Sequence, residues 1–306
     1  MPITAFSSSP GKTIRLADGR SLGWAEYGDP HGQPVLFFHG IPGSRLFHHP
    51  DDALTASLGV RLIALDRPGY GLSDFQPNRR ILDWPDDVLQ LADALKLDRF
   101  AVAGHSGGGP YVVACAYKIP HRLSAAAILS GAGPVDAPGA TQGMQPLNRA
   151  GFRVGRYVPW PLWRLAVWFF FRKGRDDPEA MFERGAKARP KADEIVFARP
   201  EVKAVCYRSE AEALRRGMLG HAWEARLLCR PWGFRPQDIS MRVHLWHGDA
   251  DVETPISMGR YMASAIPDCC AAFCRGEGHL LLFDHWQEIL AALTHKSSER
   301  VNGWNG

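Results

Sequence analysis

One serine stands where a hydroxyl could be put to work. Residues 101–111 read AVAGHSGGGPY, with Gly104 two positions before Ser106 and Gly107, Gly108 and Gly109 directly after it. The spacing is G-x-S-x-G, with an apolar strand pattern before it and a helical pattern after it. In that setting glycines permit a tight turn that lifts the serine to a strand end, facing the N–H groups that open the helix. A serine hydroxyl is a weak nucleophile until a base takes its proton, and the base needs an acid to orient it. His279, in CRGEGHLLLFDH, follows the last strand pattern, and Asp251, in LWHGDADVETP, follows the one before. Asp249 and Asp136 are alternative acids, the second lying just past the strand that ends at Gly131. His285 is the poorer base, because it falls on the following helix. Two N–H donors would complete the set by holding a developing oxyanion. Gly107 offers one. The loop HGIPGSR (39–45) offers the other at Ile41, since Pro42 has no N–H.

These residues need a scaffold that brings distant loops together. KTIRLA (12–17) and RSLGWAEY (20–27) flank Asp18-Gly19 and predict a hairpin. PVLFFHG (34–40) and VRLIALD (60–66) are continuous apolar runs, as strands buried on both faces require. Further strands are expected at 99–104, 123–131, 241–248 and 269–275. Helices are expected over 44–58 as a crossover, over 83–97 with Asp83 as cap and Pro85 in the first turn, and over 107–119, 256–266 and 285–295. The alternation predicts an α/β fold: a mostly parallel sheet covered on both faces, with an antiparallel start. Residues 134–240 break it. They lack buried strand runs, are rich in Arg, Pro and Trp, and read as an inserted helical cap on a core formed by 1–133 and 241–306. The tail from Lys296 is expected to fray.

Composition narrows the classes. The chain has 306 residues, 45% hydrophobic and 22% charged, enough for a sizeable soluble core. The net charge of +4 is uneven: residues 134–240 carry 19 Lys/Arg against 12 Asp/Glu, the remainder 17 against 20. Such a bias either faces an anionic partner or is a solvated helical surface. No nucleic-acid-binding motif is present, so no nucleic-acid partner is expected. The start, MPITAFSSSPGKTIRL, lacks the pattern of a secretory leader, which points to a cytoplasmic protein. PLWRLAVWFFF (161–171) holds Arg164 and is too short to span a bilayer, but it suits an interfacial or lid helix. No stable membrane insertion is expected. Six cysteines match no paired CxxC zinc site, so free, buried thiols are expected. Oligomeric state is left open.

The pieces FFHGIPGS (37–44), DRPGYGLSD (66–74), GHSGGG (104–109), HGDADVETP (247–255) and GEGHLLLFDH (276–285) occur in an order that resembles the α/β-hydrolase fold family. The resemblance is to its serine-nucleophile branch with a helical cap after the sixth core strand. It covers about 24–132 and 241–295; the cap matches no family pattern. It implies hydrolysis through an acyl-enzyme, with Ser106 attacking, His279 as base, Asp251 supporting the imidazole, and Ile41 and Gly107 at the oxyanion, and it implies no cofactor or metal. The HGIPG loop is similar to that of epoxide hydrolases and haloalkane dehalogenases, but those use an aspartate where this chain has Ser106, which argues against both activities. The HGGG loop of the hormone-sensitive-lipase-like esterases is absent. The Trp that proline iminopeptidases carry after the nucleophile is replaced by Gly107.

The expected activity is that of a carboxylesterase-like serine hydrolase acting on a small-molecule ester or lactone. The cap's Trp and Phe residues suggest an apolar acyl part. The same three residues would serve a carbon–carbon bond hydrolase, an amidase or peptidase, or a perhydrolase, because fold alone does not choose. A non-hydrolytic ligand receptor and a lipase working at a membrane through the cap are the remaining readings.

Overall fold

The computed structural model describes residues 11–176 and 189–294. The first ten residues and the tail from Lys296 fall outside these residues. The eight strands among the described residues are β1 Lys12–Arg15, β2 Ser21–Gly28, β3 Gln33–Phe38, β4 Val60–Leu65, β5 Phe100–His105, β6 Leu123–Leu129, β7 Val243–Gly248 and β8 Cys269–Cys274. They form one sheet in the order β1-β2-β4-β3-β5-β6-β7-β8. The β1–β2 and β2–β4 pairs are antiparallel and the others parallel. The apolar runs read from the sequence are the central strands: Val35–Phe38, Leu62–Leu65 and Phe100–His105 are all buried.

Helices α1 Asp52–Ser57, α2 Trp84–Ala94 and α3 Gly109–Lys118 come from the first half of the chain, and α9 Ile256–Ala265 and α10 Trp286–Thr294 from its end. Side chains of α2, α3 and α9, among them Trp84, Val112 and Met262, build one apolar cluster with one side of the sheet. Trp286, Ile289 and Leu290 of α10 build a second, with Phe37 and Leu62 on the opposite side. Between β6 and β7 lie the cap helices α4 Pro146–Val154, α5 Trp160–Asp176, α6 Lys191–Phe197, α7 Pro200–Ala213 and α8 Leu219–Leu228, and no strand occurs there among the described residues. Val196, Phe197, Val202 and Val205 join the second core cluster, so the cap shares apolar packing with the sheet.

Three expectations are corrected. The crossover 44–58 is helical only over Asp52–Ser57, where the Asp51 carboxylate accepts from Leu54 N at 2.8 Å and fixes the start. The stretch before it is a loop, held by contacts described below. Asp83 does not cap α2 with its side chain; it accepts from Arg80 N and the Arg80 guanidinium at 2.8 Å each. The six cysteines are free, yet only Cys115, Cys206 and Cys229 are buried, while Cys269 and Cys274 are partly exposed and Cys270 is exposed.

The turn after β5 tolerates no side chain on its glycines. A Cβ on Gly108 would lie 2.3 Å from the Phe38 carbonyl oxygen, and one on Gly104 2.6 Å from that of Gly108. Gly108→Ala should therefore push α3 from the sheet and cost about 1–3 kcal/mol, read as a lower urea midpoint; an unchanged midpoint would mean that this contact is not tight.

Candidate active site

Strand β5 delivers Ser106 at its carboxyl end. Ser106 has φ +55°, in the left-handed region that L residues avoid, and a short 3-10 turn over Ser106–Gly108 leads into α3. It is nearly buried, at 9% exposure. Gly40 stands against it: a Cβ there would sit 3.2 Å from Ser106 Cβ.

The loop after β8 carries His279. Its Nδ1 lies 2.8 Å from Asp251 Oδ2. Asp251 Oδ1 accepts from Glu253 N at 2.8 Å and Thr254 N at 3.0 Å. The Thr254 hydroxyl lies 2.8 Å from both Asp251 Oδ2 and the Ser130 carbonyl, so its single proton serves one of them at a time. Burial pushes the Asp251 carboxyl up, but the charge on His279 and the hydrogen bond from it, with the Thr254 N–H, hold it below the ordinary 3.8. Burial likewise opposes charge on His279. The Asp251 charge and hydrogen bond, with Glu253 and Asp193 behind them, outweigh that and raise His279 above 6.5.

Among the sequence candidates the structure brings His279 and Asp251 into contact and leaves the rivals aside. Asp136 is exposed. Asp249 accepts from Gly276 N at 2.7 Å, a turn contact. His285 lies between Glu277 and Glu288, at 2.9 and 3.1 Å. The elbow and the histidine loop are tied through His105, whose Nε2 donates to the His279 carbonyl at 2.9 Å. Burial pushes His105 down to about 3, so it is neutral with its proton on Nε2. Among the described residues no hydrogen bond joins Ser106 Oγ to His279. Such bonds are often open in unliganded enzymes and tighten around substrate.

The loop carrying Ile41 is held from beneath by buried charge. The Arg67 guanidinium donates to the carbonyls of His39 and of Gly40, the latter at 2.9 Å. Its Nε donates to Glu224 Oε1 on α8 at 2.7 Å. Arg79 reaches Glu224 Oε2 at 3.1 Å and donates to the Tyr111 hydroxyl at 2.7 Å. Asp66 accepts from Arg45 N at 2.7 Å and from the Arg45 guanidinium at 2.8 Å, pinning the far end of the loop. Gly107 packs on Ile41: a Cβ on Gly107 would lie 2.7 Å from Ile41 Cγ2 and 3.5 Å from Leu228 Cδ1 of the cap.

The cap also reaches the histidine loop. Asp193 of α6, 2% exposed, accepts from His279 N at 3.0 Å and Leu280 N at 2.8 Å. One trio among the described residues, Cys274, Glu277 and His285, has the donor types for a metal ion. Hydrogen bonds and charge from Glu277 and Glu288 outweigh burial and raise His285 above its ordinary value, so its ring is committed to an ion pair.

Comparison with known proteins bears on the fold. The family model described as alpha/beta hydrolase fold matches residues 33–158. A hydrolase from Pseudomonas aeruginosa superposes with TM-score 0.67 at 18% identity, covering 94% of this chain and 97% of its own. The chain has the α/β-hydrolase fold. An esterase from Rhodococcus sp. ECU1013 shares this fold with TM-score 0.65 at 19% identity, over 93% of this chain and 100% of its own. By sequence, the non-heme chloroperoxidase of Streptomyces lividans is 34% identical over 125 residues, 40% of this chain and 45% of that protein. The chain spans less than half the length of the curated relatives it matches.

Within this hydrolase fold, Thr254, Arg67, Asp193 and Glu224 are site residues that sequence reasoning missed. Thr254 had a signal, three residues after Asp251 where a side-chain turn forms. Asp193 and Glu224 had none. Glu224→Ala should leave Arg67 and Arg79 buried without a counter-charge and cost about 3–5 kcal/mol, measured by urea unfolding; a loss below 1 kcal/mol would show that water replaces the carboxylate.

Proposed function

We propose that the protein is a carboxylesterase-like serine hydrolase that cleaves an ester or lactone through an acyl-enzyme. The observation that carries this is Ser106, held in a left-handed turn on an elbow that His105 ties to the loop of His279, whose partly buried ring pairs with the buried Asp251. On this reading the chain divides into a core of 1–133 and 241–306 and a cap of 134–240.

His279 takes the Ser106 proton as Oγ adds to the substrate carbonyl. Asp251 keeps the Nδ1 proton in place and supports the imidazolium that forms, while Nε2 faces the reacting hydroxyl. The oxyanion is held by the N–H groups of Gly107 and Ile41. In support, no hydrogen bond takes up the Ile41 N–H among the described residues, and Arg67 fixes the carbonyls on either side of the Gly40 Cα. The protonated His279 then gives its proton to the leaving alkoxide. Water, activated by the same imidazole, releases the acid. Ile41 and Leu228 beside Gly107 favour an apolar acyl group.

The relative named a non-heme chloroperoxidase supports a second reading with the same residues. There, hydrogen peroxide replaces water, and the acyl group leaves as a peracid.

Hydrolysis of p-nitrophenyl esters of graded chain length tests the proposal. Ser106→Ala should lower kcat by about 10⁴-fold or more without moving the urea midpoint, and a fluorophosphonate should label Ser106. An adduct on another residue would overturn the nucleophile. Ester turnover absent in the wild type, with turnover of an amide or carbon–carbon substrate, would replace the ester reading.

The pH dependence has a definite sign. The base must be neutral, so the rate falls as pH drops through the His279 value, and that limb should lie above 6.5. Asp251→Asn should move the limb to lower pH and cut kcat by about 10⁴-fold. A limb that stays in place in the variant would mean another group titrates.

A further inference from the structure

Helix α5 has more apolar surface than the fold uses. Trp160, Trp163, Val167 and Phe171 recur at helical spacing and form its inner side, packing with Met218 and Ala222 at the start of α8. The Trp163 indole donates to the Ala222 carbonyl at 2.8 Å. That stripe alone accounts for a cap helix. Yet Leu162, Leu165 and Phe169, at i, i+3 and i+7 on the other side, are 59%, 59% and 58% exposed, with Trp168 and Phe170 beside them. The preceding segment adds Leu147, Val154 and Tyr157. Eight of the twelve large hydrophobics exposed among the described residues lie in this short stretch, so the patch is not ordinary surface scatter.

Charge says what the patch faces. Residues 145–176 hold seven Arg or Lys and a single acid, Asp176. The Arg172 guanidinium lies 5.1 Å from the Trp168 ring and 4.9 Å from that of Phe169, and Arg156 lies 4.5 Å from the Tyr157 ring. Cations thus border the apolar side chains. A second copy docking through a two-fold axis would set this basic patch against itself, which like charge opposes. A nucleic acid would match the cations but leave Leu162, Leu165 and Val154 without a purpose. A lipid surface with anionic headgroups meets both, with Leu, Phe and Trp among the acyl chains and Arg at the phosphates. No helix among the described residues is long and apolar enough to cross a membrane, so the contact would be one of lying on the surface.

We propose that the outer face of α5, with the basic segment leading into it, docks the protein on an anionic phospholipid bilayer. The surface belongs to the cap and works whether or not the ester reading holds.

The test is sedimentation of the full chain with vesicles of phosphatidylcholine alone or with about 30% phosphatidylglycerol, at low salt and at about 0.5 M salt. Binding is expected only to the anionic vesicles and should weaken at high salt. Phe169→Glu and, separately, Arg172→Glu should each weaken it by roughly tenfold or more, with unchanged urea midpoints confirming folded protein. Absence of binding to either vesicle would overturn the proposal, as would binding that both substitutions leave intact. So would a dimer in solution that Phe169→Glu dissociates, which would assign the face to a second copy. Capture of single-stranded RNA without vesicle binding would assign it to nucleic acid.

Discussion

The buried guanidinium of Arg67 is the constraint around which the candidate-site side of this molecule is arranged. A charge that deep is tolerated only if every direction it points in is answered. Two answers come from the core, the carbonyls of His39 and Gly40, and one from the cap, Glu224. His39 is drawn into the same network. Burial, with Arg67 and Arg79 nearby, holds it neutral, so its Nδ1 donates to the Gly40 carbonyl at 2.7 Å and its Nε2 accepts from Arg67 N at 3.2 Å. The loop shape that sets Gly40 against Ser106 is therefore dictated from behind by electrostatics.

The same logic holds on the other side of the reacting centre. Asp193 leaves the cap to accept two backbone N–H groups next to the imidazole, and a Cβ on Gly278 would lie 2.3 Å from its carboxylate. Glu224 and Asp193 are both nearly free of solvent contact. Each half of the centre is thus steadied by one acid from the insertion, through backbone groups that no substrate needs to touch.

The scaffold was legible because its signals are local. Continuous apolar runs gave β3, β4 and β5, and Asp18-Gly19 gave the first hairpin. The elbow, the histidine and the acid could be chosen because each follows a strand end. The loop 44–51 was misread as helix because its conformation comes from contacts with residues far along the chain: Asp66, Ser209 and Glu212 bind Ser44 and Arg45. DRPGYGLSD was recognisable as a motif, but its role was not, since Asp66 and Arg67 act on the neighbouring loop. The cap carboxylates were illegible in principle: one acid among many on a helix shows its purpose only when its partners are in place.

The tie between Arg67 and Glu224 also bears on how such a fold could be rebuilt. Caps in a hydrolase fold invite treatment as interchangeable modules, to be swapped when a new pocket is wanted. Here a transplanted cap would arrive without the two acids, strand two arginines in the interior and unfasten both loops at once. Any exchange of specificity in this chain must carry Glu224 and Asp193 with it, or begin by making the core able to stand without them.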